Sequence, residues 1–315
     1  MLEISHLYKK FGKFVALRDM NMKVEEGELF GFVGSNGAGK TTTMRICVGL
    51  LASDGGKVTI DGEEVLNDHK KLASLVGYVP DFFGVYSNFT CMEYLQFFAS
   101  TYGLRGYDTD VMCQDLLKLV KLDHKKDTNV NGLSRGMKQR LCLARGLVHD
   151  PKILFLDEPA SGLDPQSRFE LKEILKNLSS YGKTIIISSH ILPELDQMCS
   201  SVGIINKGHV VLQGTMDEIH RAAAMQSPIL ITVANDQIDD AFAVLKEFAT
   251  VQKVTARGNI LSVVFTGTKE EESVLLTSLV SHNVAVLNFY REDSSLESLF
   301  MDIVSGEMAR KAKEA

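Results

Sequence analysis

Short apolar runs alternating with stretches of helical spacing fill the first two-thirds of the chain. From Leu2 to about Val24 the runs are brief and broken at Gly12, which predicts strands. Leu29-Phe30-Gly31-Phe32-Val33 is a buried-strand pattern that stops at glycine-rich sequence, and Thr41 to Leu50 has the apolar spacing of a helix. Phe89 to Val120 is helical in spacing, interrupted near Gly103 to Tyr107. Lys152 to Leu156 predicts a buried strand, Arg168 to Leu178 a helix, and Thr184 to Ile187, Val202 to Ile205 and Val210 to Leu212 further strands. Strands rich in β-branched residues that alternate with helices indicate an α/β fold around a parallel sheet.

The pattern changes around Arg221 to Ser227, a short polar and alanine stretch. Beyond it, Ile229 to Val233, a helix from about Ile238 to Phe248, strands near Val251 to Thr255 and Leu261 to Phe265, a helix over Lys269 to Ser281 and a strand near Val284 to Tyr290 follow in the order β-α-β-β-α-β. That order is a split, ferredoxin-like α+β plan. A last helix is expected over Ser295 to Val304, and the lysine-containing tail from Gly306 to Ala315 is expected to fray. The domain reading is therefore residues 1–222, residues 223–305 and a tail at 306–315.

A chain of 315 residues with 45% hydrophobic residues exceeds what one core usually serves, in keeping with a large and a small domain. The net charge of −6 argues against nucleic acid as a partner. No apolar run approaches the roughly 18 residues of a membrane span, and Met1 to Lys10 lacks the apolar core of a signal peptide. Any membrane role is thus expected to come through a partner. Cys47, Cys91, Cys113, Cys142 and Cys199 are odd in number and form no CxxC pair, the pattern of free thiols in a reducing compartment.

Gly34-Ser35-Asn36-Gly37-Ala38-Gly39-Lys40-Thr41 fits G-x-x-x-x-G-K-[ST], between a buried strand and a helix. Glycines let backbone N–H groups close on a phosphate, and the helix N-terminus adds its positive end. Lys40 is expected to reach the β- and γ-phosphates and Thr41 to offer its hydroxyl to Mg²⁺. This loop alone says nucleotide and no more, since GTPases, kinases and many ATPases share it. Ile153 to Leu156 then delivers Asp157 towards the metal, and Glu158 beside it can polarise an attacking water as general base. Between the two motifs lies Leu133-Ser134-Arg135-Gly136-Met137-Lys138-Gln139-Arg140-Leu141. Ser134 and the Gly136 backbone can donate to a phosphate at the start of a helix.

That last stretch resembles the LSGGQ signature of ABC ATPases, especially its L-S-x-G-M-K-Q-R-L form. Ser161-Gly162-Leu163-Asp164 is similar to the family's D-loop, Ser188-Ser189-His190 to its switch histidine, and Gly208 to Ile219 to its closing strand and turn. The resemblance covers about Met1 to Ala222. It implies a P-loop NTPase core with an antiparallel β subdomain and a helical subdomain. It also implies ATP held by Phe11, Gly34, Ser35, Asn36, Gly37, Ala38, Gly39, Lys40, Thr41 and Thr42, with Tyr8 the rival for the adenine-stacking ring. Glu158 and His190 would be catalytic, and Thr41 and Asp157 would hold Mg²⁺. Leu133, Ser134, Arg135, Gly136 and Met137 would cover ATP bound by the opposite subunit, so a complete site needs two copies. The implied partners are a second ATPase subunit and an integral membrane permease, at the cytoplasmic face of the membrane.

Two positions depart from the family pattern: Arg135 stands where many members have Gly, and Asp81, in Gly77-Tyr78-Val79-Pro80-Asp81, stands where Gln is usual. Asp81 could bind Mg²⁺ directly or through water, or sit too far away. Residues from about Ser227 to Val304 resemble the accessory domain of ABC-2 class exporters, with Ser295-Leu296-Glu297-Ser298-Leu299-Phe300 matching a stretch that ends those chains. A structural or dimer-supporting role for that domain is set against ligand sensing. Rival readings are a soluble ABC ATPase of ribosomes or DNA, which would carry two ATPase halves or long insertions, and a non-catalytic regulator. A third is a GTPase or kinase, but Asn206-Lys207-Gly208-His209 has His where a guanine-reading N-K-x-D motif has Asp.

Overall fold

In the computed structural model, which describes residues 1–81, 88–234 and 236–291, the chain begins with two long strands, β1 (Leu2–Phe11) and β2 (Phe14–Val24). They pair antiparallel across a tight turn, from Leu2↔Val24 to Phe11↔Phe14. The next strand, β3 (Leu29–Val33), is buried at every position and leads through the glycine loop into helix α1 (Lys40–Cys47). Then β4 (Gly55–Ile60) pairs with β1 and the short β5 (Glu63–Glu64) with β4, giving an antiparallel sheet of order β2-β1-β4-β5. Helix α2 (His69–Leu75), capped by the Asp68 side chain, precedes β6 (Val76–Val79).

Three helices follow: α3 (Cys91–Thr101), α4 (Tyr107–Leu119) and α5 (Arg135–Leu147). Thr90 and Glu93 start α3 with a reciprocal capping box, and the break expected at Gly103 to Tyr107 is the turn into α4. Arg140, buried on α5, donates to the carbonyls of Val120 and Lys121 at 3.0 and 3.3 Å and pairs with Glu170 at 3.1 Å. One guanidinium thereby satisfies the open carbonyls at the end of α4 and anchors the signature helix.

The remaining elements of this unit are β7 (Ile153–Leu156), α6 (Pro165–Ser180), β8 (Thr184–Ser189), α7 (Leu192–Asp196), β9 (Ser201–Asn206) and β10 (His209–Thr215). They complete a second sheet of order β10-β9-β3-β8-β7-β6, parallel except for the β9–β10 hairpin. Its central strands are buried throughout, as a sheet covered on both faces requires. A core that includes Leu2, Met20, Phe30, Phe32, Met44, Phe155 and Ile186 joins this sheet, α1 and the antiparallel sheet. All five cysteines are buried free thiols.

The chain divides into two compact units between Met216 and Asp217. Helix α8 (Met216–Gln226) starts at that division. It occupies the polar and alanine-rich stretch, where consecutive alanines are strong helix formers. The second unit continues with β11 (Ile229–Val233), α9 (Ile238–Lys246), β12 (Val251–Arg257), β13 (Ile260–Phe265), α10 (Lys269–Ser281) and β14 (Val286–Arg291). The four strands form an antiparallel sheet of order β12-β13-β11-β14, the split β-α-β plan expected from the order of elements. Its core is built from Ile229, Ile231, Val233, Leu245, Leu261, Phe265, Leu275 and Leu279 among others. The helix expected at Ser295 to Val304, with the stretch Ser295 to Phe300, and the tail at Gly306 to Ala315 lie outside the described residues.

Leu261, fully buried on a strand with neighbours on both sides, gives a test of this second core. Leu261→Ala should cost about 2–5 kcal/mol, from lost transfer energy plus a cavity. Urea unfolding combined with hydrogen exchange on β11 to β14 reads the loss.

Candidate active site

Parallel pairing sets Val33 opposite Ser189 and Leu156 opposite Ile187, so the loops after β3, β7 and β8 leave the sheet at one edge. In open parallel sheets that edge is where ligands bind. The loop after β3 is held tightly. A Cβ on Gly34 would lie 2.6 Å from the Ile205 side chain and carbonyl. Gly39 has φ 117°, and a Cβ there would lie 2.7 Å from Leu17. Only glycine fits either position without moving β2 or β9. The β9–β10 turn supports the loop from behind, where the Gly208 N–H donates to the Ala38 carbonyl at 2.9 Å. The guanine-like Asn206-Lys207-Gly208 is therefore a hairpin turn with left-handed Lys207 and Gly208, in contact with the phosphate loop through its backbone.

Lys40 is buried, and its Nζ donates to the Gly34 carbonyl at 2.6 Å and to that of Ser35 at 3.4 Å. It also lies 3.3 Å from Glu158 Oε1. Thr41 Oγ1 donates to Asp157 Oδ1 at 3.2 Å. Glu158 has left-handed backbone, φ 48°, an uncommon conformation for a residue with a side chain. Its second carboxylate oxygen is 2.9 Å from His190 Nδ1. The residues predicted from three separate motifs thus meet: Lys40 and His190 flank Glu158, and Thr41 touches Asp157.

The Ser188 hydroxyl was not singled out from sequence. It is buried, donates to Asp157 Oδ1 at 2.7 Å and accepts from the Glu158 N–H at 2.9 Å. One hydroxyl therefore fixes a carboxylate and the peptide of the residue after it. Tyr78 was also missed; its hydroxyl reaches Asp157 Oδ2 at 3.4 Å, and burial, followed by the Asp157 charge, pushes the phenol up to about 12. A serine at the end of a buried strand was the available signal for Ser188. Its partner on a neighbouring strand was not legible without the register.

A cleft of about 300 Å³ opens here, lined by Phe11, Phe14, Ala16, Asn36, Gly37, Gly39, Lys40, Thr41, Thr42, Asp81 and Glu158. Phe11 lines it and Tyr8 does not. Phe14, paired with Phe11 across the hairpin and 61% exposed, is a second ring that the sequence reading did not single out. Gly34 and Ala38 are buried behind the cleft, and Ser35 lies off its lining. Asp81 is on the lining; desolvation, then repulsion from Asp157 and Glu158, raises its pKa, with Arg135 opposing. Leu133, Ser134, Arg135, Gly136 and Met137 contribute nothing to the cleft lining. Ser134 caps α5 through the Met137 N–H at 3.3 Å. Ser161 and Gly162 line a separate cavity of about 180 Å³ with Glu158 and His190. Asp164 caps α6 by accepting from Ser167, which holds its carboxyl below the usual carboxylate range.

Chemically, the cleft offers rings for stacking, backbone N–H groups and an ammonium for phosphates, and a carboxylate for a proton. Among the described residues no group of three or more His, Cys, Asp or Glu side chains could hold a metal alone. Thr41 and Asp157 are hard oxygen donors in contact, which suits Mg²⁺ that takes few protein ligands and completes its octahedron with phosphate and water.

Comparison with known proteins supports the same chemistry. A family model described as ABC transporter matches residues 17–161. The linearmycin resistance ATP-binding protein LnrL of Bacillus subtilis is 31% identical over 96% of this chain and 98% of its own length. A Nod factor export ATP-binding protein I of Cupriavidus pinatubonensis is 31% identical over 98% of this chain and 92% of its own. Among solved structures, an ATP-binding subunit of an ABC transporter superposes with TM-score 0.63 at 29% identity, over 70% of this chain and 92% of that one. A dimeric post-hydrolysis ATP-binding cassette bound to ADP and Pi does so with TM-score 0.62 at 25% identity, over 69% and 99%.

Ser188→Ala tests the bridging hydroxyl. It leaves the part-buried Glu158 N–H without its partner, a loss of about 1 kcal/mol. Nucleotide hydrolysis should fall roughly 10-fold for each 1.4 kcal/mol of that loss expressed in the transition state. The divalent-cation concentration giving half-maximal rate should rise as well, as read by steady-state titration.

Proposed function

The chain belongs to the ABC transporter family as an ATP-binding, ATP-hydrolysing subunit, and on that premise we propose that it powers an exporter as a head-to-tail dimer closing on two Mg²⁺–ATP. Each phosphate loop holds one nucleotide, and Ser134 and Gly136 of the opposite copy cover it. The observation that carries this reading is the split of the machinery. Lys40, Thr41, Asp157, Glu158 and His190 converge at one sheet edge, while the signature at the start of α5 lies off the cleft. A phosphate-binding helix start outside the cleft has work to do only on a nucleotide that another copy holds.

Within one site the assigned roles are specific. Phe11 stacks on adenine, with Phe14 beside it. The backbone of Gly34 to Gly39 and Thr42 surround the phosphates, and Lys40 exchanges its bonds to Gly34 and Glu158 for phosphate oxygens. Mg²⁺ held by Thr41 and Asp157 would neutralise phosphate charge. Glu158 accepts the proton of the attacking water, and His190 keeps the carboxylate turned towards it. Asp81 sits on the cleft lining and would offer a further oxygen to the metal.

Export is inferred from relatives whose names describe Nod factor export and linearmycin resistance. As in the family generally, the cargo pathway is assigned to a separate integral membrane permease, which would hold this subunit at the cytoplasmic face. The second unit carries no catalytic group in this scheme and is assigned a structural or dimer-supporting role.

Glu158→Gln keeps shape and removes the base. It should bind ATP, accumulate as dimer in gel filtration with ATP, and turn over about 10²–10⁴-fold more slowly. Normal turnover would overturn the general-base assignment. Asp81→Gln should raise the Mg²⁺ concentration needed for half-maximal ATPase rate, and an unchanged Mg²⁺ titration removes Asp81 from the metal site.

A further inference from the structure

Arg135, the signature position where glycine is common, does not project freely from the helix start. One of its terminal nitrogens donates to the Ser161 carbonyl of the D-loop at 2.9 Å. The guanidinium lies flat against Gly162, where a Cβ would come within 2.8 Å of its central carbon. Gly162 has φ 66° and leaves room for that plane. The Ser161 N–H in turn donates to the Glu158 carbonyl at 3.0 Å. A second contact ties the same two segments together: Gly136 packs directly on Ser167, the residue that bonds the D-loop's Asp164. From signature to general base the path is therefore one charged hydrogen bond, the single residue Ser161 and one backbone hydrogen bond, all within a single chain.

We propose that Arg135 is a positioning residue that couples the signature turn to the D-loop and, through Ser161, to the peptide carrying Glu158. This rests on the reading of the chain as a dimeric ATPase and adds a wire within each copy. When Ser134 and Gly136 take hold of the phosphate bound by the opposite copy, Arg135 pulls on Ser161. The left-handed turn at Glu158, already formed in the single chain, is thereby held in place in this copy's own site. A charged donor on a carbonyl is stronger than a neutral one, and its planar fork transmits direction as well as distance. A glycine at the same position would leave the Ser161 carbonyl without this donor.

Steady-state ATPase measurements on the full chain, with ATP-dependent dimer formation measured alongside, test this coupling. Arg135→Ala should lower kcat by about 10-fold to 100-fold through misplacement of Glu158, with KM for ATP changed by less than about 3-fold. The Hill coefficient for ATP should fall towards one, while dimer formation in a Glu158→Gln background persists. Arg135→Lys, which keeps one donor, should recover part of kcat. Gly162→Ala, which pushes the guanidinium away from the D-loop side, should reproduce the Arg135→Ala profile. Unchanged kcat and Hill coefficient in Arg135→Ala overturn the coupling, as does a rise in KM alone, which would make Arg135 a nucleotide contact. Loss of ATPase activity or of ATP-dependent dimers in the wild-type chain would instead remove the underlying functional reading.

Discussion

Parallel pairing of β3, β8 and β7 is the constraint on which the rest of the molecule depends. Because those strands run the same way in fixed register, their C-terminal ends release three loops at one edge. The phosphate loop, the Asp157–Glu158 pair and His190 come from positions far apart in sequence, yet no loop has to reach for another. The burial of all three strands makes the register costly to shift, since one step would turn every side chain to the opposite face.

On that edge a few buried polar contacts do the positioning. Ser188 ties the Asp157 carboxylate to the Glu158 peptide, and Lys40 and His190 hold the Glu158 carboxylate from two sides. Such a network in low dielectric is stable only if each member keeps its partners. Its preorganisation is also what makes it useful, because a carboxylate already held in place needs little reorganisation at the moment of reaction. The uncommon backbone at Glu158 is consistent with a turn held by its surroundings rather than by local preference. Arg135 extends this network from the edge of the sheet to the start of α5, through its bond to the Ser161 carbonyl.

Much of this was legible in one dimension. The glycine loop could be read because only glycines at fixed spacing permit the close backbone approach that Gly34 and Gly39 make to Ile205 and Leu17. From β11 onward the order of strands and helices followed from apolar periodicity, as did β3, β7, β8, β9 and β10 before it. Weaker signals were lost: β4 carries two glycines and a lysine, and becomes a strand only by pairing with β1. The alanines before Ser227 were read as composition and proved to be helix α8. Asn206-Lys207-Gly208 looked like the start of a base-reading motif, and folding made it a hairpin turn whose backbone supports the phosphate loop.

The sequence by itself determined the chemistry. Residue types at fixed local spacing named the phosphate loop, the carboxylates, the switch histidine and the signature, because each motif's function depends on neighbours a few positions away. Only the tertiary structure decided which of these meet. It joined Ser188 to Asp157 and Glu158, put Phe11 and Phe14 but not Tyr8 on the cleft lining, and laid Arg135 on Ser161 and Gly162. The physical reason is that these contacts cross strands and helices distant along the chain. Their distances follow from sheet register and helix packing, which local spacing does not encode.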